Sequence, residues 1–160
     1  ETDLPQEYFS LTREEWTRRI LDIRSKLGSK LVILGHHYQR DDVLEFADFT
    51  GDSLKLSQCA AEQKEARWIV FCGVHFMAES ADILTGDDVR VILPERTAGC
   101  SMADMATRPQ LERAWARISA HAGEPVIPIT YVNSTAEVKA FCGAHGGTCC
   151  TSGNVAKNLE

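Results

Sequence analysis

Short apolar runs that alternate with longer amphipathic stretches limit what this chain folds into more than any other feature. KLVILG (30–35), RWIVFCG (67–73) and VRVILPE (89–95) are strand-length runs. A run without in–out alternation reads as a strand buried on both faces of a parallel sheet. Helical patterns lie between them. In LTREEWTRRILDIRSKLG, Thr12 and Glu15 fit a capping box, Trp16, Ile20, Ile23 and Leu27 share one face, and Gly28 is a natural stop. RDDVLEFADFTG and DSLKLSQCAAEQKEA read as two helices with Asp41 and Asp52 as N-caps, and HFMAESADILTG as another.

The same alternation restarts further on. RPQLERAWARISAHAG predicts a helix with Pro109 near its first position and Leu111, Trp115 and Ile118 at helical spacing. PVIPITYV predicts a strand whose Pro128 suits a strand start or sheet edge. STAEVKAF carries a Ser134–Glu137 capping box, GGTCC fits a short strand, and TSGNVAKNLE opens a last helix. Such repetition predicts an α/β fold of parallel three-layer α/β/α units. The expected organisation is a first α/β domain with its N-terminal helix over 1–98 and the start of a second over 99–160. The second has about two strands, too few for a sheet that stands alone.

In parallel α/β folds, ligands bind beyond the carboxyl ends of the strands. His36, His37 and Tyr38 follow LVIL, His75 follows WIVF, and Cys100 lies past VRVIL. Tyr131 and Asn133 follow VIPIT, Ser152 and Asn154 follow TCC, and Ser53 starts a helix after FTGD. A core alone does not require every strand to end in reactive side chains, so the pattern points to an enzyme acting on small molecules. Composition agrees. With 44% hydrophobic and 25% charged residues the chain reads as soluble and globular. A net charge of −6 without a basic cluster argues against nucleic acid. No apolar run is long enough to cross a bilayer, and ETDLPQEYFS is not leader-like. Six cysteines with nothing pointing to export fit a reducing cytoplasm, with thiols free or metal-bound.

Five segments together carry a resemblance: GHHYQRDDVLEFADFTGDSLKLSQCAA, FCGVHFMAESADIL, ERTAGCSMADM, TYVNSTAEVKA and CTSGN. In this order, from about Leu31 to Asn154, they resemble the quinolinate synthase family of NAD biosynthesis. That resemblance implies condensation of iminoaspartate with dihydroxyacetone phosphate to quinolinate, with loss of two waters and phosphate. It implies three similar α/β domains around a pseudo-threefold axis and a 4Fe-4S cluster held by one cysteine from each. Cys100 matches the first cluster cysteine, which explains why it stands alone locally. Three thiolates leave one iron open as a Lewis acid. The family chain is about twice as long, so the other two cysteines and the third domain are expected outside these residues. The 160-residue piece is expected to be inactive alone.

The resemblance also implies site roles. His36 matches a histidine that holds a substrate carboxylate, and Tyr38 a tyrosine that assists proton transfer. Ser53, Tyr131, Asn133 and Ser152 match substrate contacts; a phenol and an amide fix a dicarboxylate without adding charge. The "TSGN" helix start offers Ser152 free N–H groups that attract anions. His37 is read as structural, His75 and Glu79 as lining, and Arg96 and Asp104 as loop-fixing. The implied partners are the two substrates, with L-aspartate oxidase or aspartate dehydrogenase as the iminoaspartate source. Cys59 and Cys72 read as packing thiols. A rival reading comes from FCGAHGGTCC, where Cys142, His145 and Cys149 suggest a small zinc module. The alternative for that stretch is a glycine-rich loop.

Overall fold

The computed structural model describes residues 4–159. Glu1–Asp3, part of the acidic start, and Glu160, the end of the last expected helix, lie outside the described residues. The first long element is helix α1 (Arg13–Leu27), and the expected capping box is present. Glu15 N–H donates to Thr12 Oγ1 at 3.3 Å, and Thr12 N–H to the Glu15 carboxylate at 2.8 Å. Gly28 ends the helix with φ of +53°, a conformation an L side chain rarely adopts.

Strand β1 (Leu31–His36) follows, then a single helical turn α2 (Asp41–Leu44) and strand β2 (Phe49–Gly51). The sequence predicts one helix across this stretch with Asp41 as its cap. Instead, Arg40 occupies the cap position, without a side-chain cap bond, and the chain turns back to pair with β1. Asp48 drives that turn. Its N–H donates to Ile33 O at 2.7 Å, and its carboxylate accepts from Ile33 N–H at 2.8 Å. Arg24 on α1 donates to Phe46 O and to Asp48, tying α1 over the crossover.

Helix α3 (Ser53–Glu62), strand β3 (Trp68–Cys72), helix α4 (His75–Leu84) and strand β4 (Arg90–Ile92) complete a four-stranded sheet. Its order is β2-β1-β3-β4 and every pairing is parallel. Parallel pairing needs crossovers, which the helices supply. Val32, Leu34, Ile69 and Phe71 point from one face into the core with Leu56 and Ala60 of α3 and Phe76, Met77 and Ala81 of α4. The other face meets α1 more loosely: Ile33 and Val70 share an open groove with Trp16 and Ile20, and Ile23 is 50% exposed.

Helix α5 (Arg108–His121), strand β5 (Ile129–Tyr131), helix α6 (Ala136–Ala144), strand β6 (Thr148–Cys150) and helix α7 (Val155–Leu159) follow. β5 and β6 form a separate parallel pair with Tyr131 opposite Cys150. Pro109 sits in the first turn of α5, and Pro128 just precedes β5. The cap of α6 is Thr135, not Ser134: Thr135 Oγ1 accepts from Val138 N–H, while Ser134 Oγ donates to Tyr131 O at 2.8 Å. FCGAHGGTCC is not a free loop either; it is the end of α6, a short turn and β6. Gly147 is required in that turn, because a Cβ there would lie 1.9 Å from Pro128 O.

Candidate functional site

Among the described residues all six strands run parallel within their sheets, so each sheet gathers its strand ends along one edge. On the larger sheet that edge begins at His36, the last residue of β1 and only 7% exposed. Its ring stacks on His37 at 4.5 Å and meets Tyr38 edge-on at 4.8 Å. Burial lowers the basicity of His36, the neighbouring His37 adds to that, and Asp52 opposes it. Tyr38 N–H lies 3.4 Å from His36 Nδ1, an arrangement that leaves Nε2 to carry the ring proton. His37 is tied to the backbone: its N–H donates to Gly51 O at 3.1 Å, and its Nδ1 lies 2.9 Å from the same oxygen. Tyr38 is 84% exposed and stands at the rim.

Ser53 is buried at the first turn of α3. A helix-start serine is often a cap, but Asp52 has that role here, accepting Lys55 N–H at 2.9 Å. The hydroxyl of Ser53 is not needed to cap the helix. His75 N–H donates to Ala98 O at 2.8 Å, which draws the Cys100 loop toward the start of α4. Cys100 is partly buried and packs on the first core, as does Ala103.

The smaller sheet presents Tyr131 at the end of β5, 39% exposed, and half-buried Asn133 two residues on. Ser152 lies two residues past Cys150, the register partner of Tyr131, and is exposed. Its turn is held by Asn154, whose side-chain oxygen accepts Thr151 N–H at 2.6 Å. The candidate residues therefore form two sets: His36, Tyr38 and Ser53 on one sheet edge, and Tyr131, Asn133 and Ser152 on the other. Cys100 stands on the loop that follows the first sheet.

Helix α4 joins the two sheets. The Glu79 carboxylate accepts Ala136 N–H of α6 at 3.2 Å and lies 3.7 Å from His75 Nδ1. Lys139 Nζ lies 2.8 Å from Ser80 Oγ. The sequence assigns Glu79 only a lining role and gives Lys139 none. The chain carries no local signal for this seam, because Glu79 and Ser80 lie far from Lys139 in sequence.

The zinc reading of the last cysteines does not hold. Among the described residues no group of three or more His, Cys, Asp or Glu side chains gathers as a metal site. His145 Nδ1 lies 2.8 Å from Phe141 O, and its ring packs against Trp115 and Phe141. Burial raises the Cys142 and Cys149 thiols, which disfavours thiolate. Burial likewise raises Cys72 on the loosely covered face of the first sheet. Cys100 is a free, partly buried thiol on the loop after β4, a donor type that iron–sulfur clusters take. Among the described residues no helix is long and apolar enough to cross a membrane.

Comparison with known proteins gives one consistent result. The family model NadA, described as Quinolinate synthetase A protein, matches residues 18–160. A quinolinate synthase of Halalkalibacterium halodurans is 58% identical over 157 residues, 98% of this chain and 43% of the relative. Quinolinate synthases of Bacillus cereus and Bacillus pumilus are 57% and 55% identical, covering 96% and 98% of this chain and 42% of each relative. The chain thus spans less than half the length of these curated relatives.

Proposed function

The chain belongs to the Quinolinate synthetase A protein family, and on that premise we propose that it is the N-terminal portion of a quinolinate synthase. The proposed reaction condenses iminoaspartate with dihydroxyacetone phosphate. A C–C bond and a ring C–N bond form, and two waters and phosphate leave. The full-length protein is proposed to have three domains about a pseudo-threefold axis and to act in the cytoplasm in NAD biosynthesis. L-aspartate oxidase or aspartate dehydrogenase would supply the iminoaspartate. The observation that carries this reading is the family match over 18–160, which includes both strand-end edges.

The proposed roles come from the family resemblance, and the placement of each group supports them. Burial lowers the His36 pKa and so favours the neutral ring, whose Nε2–H would donate to a substrate carboxylate without adding a fixed charge. The exposed Tyr38 phenol holds and returns a proton as the condensed product loses water. Ser53 donates a hydroxyl that its helix does not use for capping. Tyr131 and Asn133 orient the dicarboxylate from the second edge, and Ser152 meets phosphate or carboxylate. Cys100 would be one thiolate ligand of a 4Fe-4S cluster, with two further cysteines beyond this chain. When bound, that cluster supplies a Lewis acid for a substrate oxygen or nitrogen.

The test uses the full-length protein, taken to the length of these relatives, handled without oxygen and assayed for quinolinate from the two substrates. Tyr131→Phe and Asn133→Ala are each expected to lower kcat/KM about ten- to a hundredfold, the scale of one hydrogen bond to a charged group. The 160-residue piece alone is expected to show no turnover. Wild-type kinetics in both variants would remove this segment from the site, and no quinolinate from the full-length protein would overturn the reading.

A further inference from the structure

A half-buried ammonium at the seam between the two sheets has no part in the site described above. Lys139, in the first turns of α6, reaches back to helix α4. Its Nζ lies 2.8 Å from Ser80 Oγ and 2.9 Å from Ser134 O, and 5.2 Å from the centre of the Phe76 ring. An ammonium has three donors and no acceptor, so two oxygens and an aromatic face suit it well. On the adjacent position of α4, Glu79 takes Ala136 N–H at 3.2 Å.

These contacts bracket one short segment. Ser134 O is held by Lys139 and Ala136 N–H by Glu79, so the connection between β5 and α6 is pinned to α4 from both sides. Within it, Ser134 Oγ donates to Tyr131 O at 2.8 Å and Ser134 N–H to Val132 O at 2.9 Å. The line Ser80–Lys139–Ser134–Tyr131 runs from the first sheet's helix to the backbone that carries Tyr131 and Asn133. A half-buried lysine is costly unless its donors are used, and here one is used on that backbone and one on the Ser80 hydroxyl.

We propose that Lys139 is a positioning residue: it locks the Tyr131–Asn133 segment onto helix α4, so that the contacts of the second sheet edge stand in register with those of the first. The effect on substrate rests on the function proposed above; the effect on the segment does not. Lys139 therefore acts through Asn133 and Tyr131 rather than on the substrate.

The experiment compares full-length wild type with Lys139→Met, Lys139→Arg, Ser80→Ala and the pair Lys139→Met with Asn133→Ala. Methionine keeps the apolar stem on Phe76 and removes the donors. Hydrogen exchange is read on peptides covering Tyr131–Val138 and on peptides covering β1 and β3. Lys139→Met is expected to speed exchange of the first set about tenfold and leave the second unchanged. KM is expected to rise about ten- to a hundredfold, the size of a lost charge-assisted bond, with a smaller change in kcat. Ser80→Ala should move both readouts the same way by less. Lys139→Arg should restore part of each. Adding Asn133→Ala to Lys139→Met should cost less than Asn133→Ala costs in wild type, because the segment is already released. A purely structural lysine would lower the melting temperature, leave KM alone and give additive variants, and that result would overturn the proposal. Unchanged exchange over Tyr131–Val138 would overturn it too, whatever the enzyme assay shows. A wild type that makes no quinolinate would sink the functional reading, while exchange would still decide whether the segment is clamped.

Discussion

The two parallel sheets use the same strand–helix alternation but have unequal interiors. Among the largest fully buried side chains of the described residues, Phe71, Leu34, Leu56 and Ile69 belong to the four-stranded sheet and its helix α3, and only Val138, on helix α6, belongs to the second region. The first region fills one face of its sheet with side chains from two helices. The second owes part of its order to its neighbour, through Glu79, Ser80 and Phe76 of α4. A strand-end site split across both sheets, as proposed, would depend on the seam between them as well as on either core.

The largest expected effect is in the first core. Phe71→Ala should cost about 3–5 kcal/mol of stability in denaturant melts, the range for emptying a fully buried aromatic position. Val138→Ala should cost less, about 2 kcal/mol. Val138→Ala matching Phe71→Ala would break the comparison. A smaller step concerns caps. Thr135→Ala removes the N-cap of α6 and should cost about 1 kcal/mol, with faster amide exchange in α6 and none in α3. Faster exchange in both helices would mean the regions melt as one.

The smallest effect is a pH dependence at the first edge. Burial lowers the His36 pKa below its unfolded value of 6.5, so the unfolded chain binds the proton more readily. Stability from this group is complete above pH 6.5 and is lost as pH falls through the folded midpoint. Histidine proton resonances should place that midpoint below 6.5, and His36→Gln should flatten the acid limb of the stability profile. A midpoint above 6.5 would remove burial as the controlling influence.

Much of this was legible in the residues. The Thr12–Glu15 box, the Gly28 stop, the Asp52 cap and Pro109 are local chemistry and sit where the sequence places them. Strand β2 was not legible. Val43, Leu44, Phe46 and Ala47 mimic helical spacing, and the deciding bonds join Asp48 to Ile33, which are distant in sequence. Ser134 and Thr135 are neighbouring hydroxyls, and packing on Tyr131 O decided which one caps. The strand-end placement of the candidate residues was legible because parallel topology places strand ends together. The seam was not, since Lys139, Ser80 and Glu79 share no local pattern.

The most direct measurement is iron and acid-labile sulfide content of the full-length protein after anaerobic reconstitution, in wild type and Cys100→Ser. The account predicts about four irons and four sulfides per wild-type chain and loss of the cluster in the variant, with unchanged circular dichroism. A Cys100→Ser protein that keeps the same iron, sulfide and absorption would contradict it.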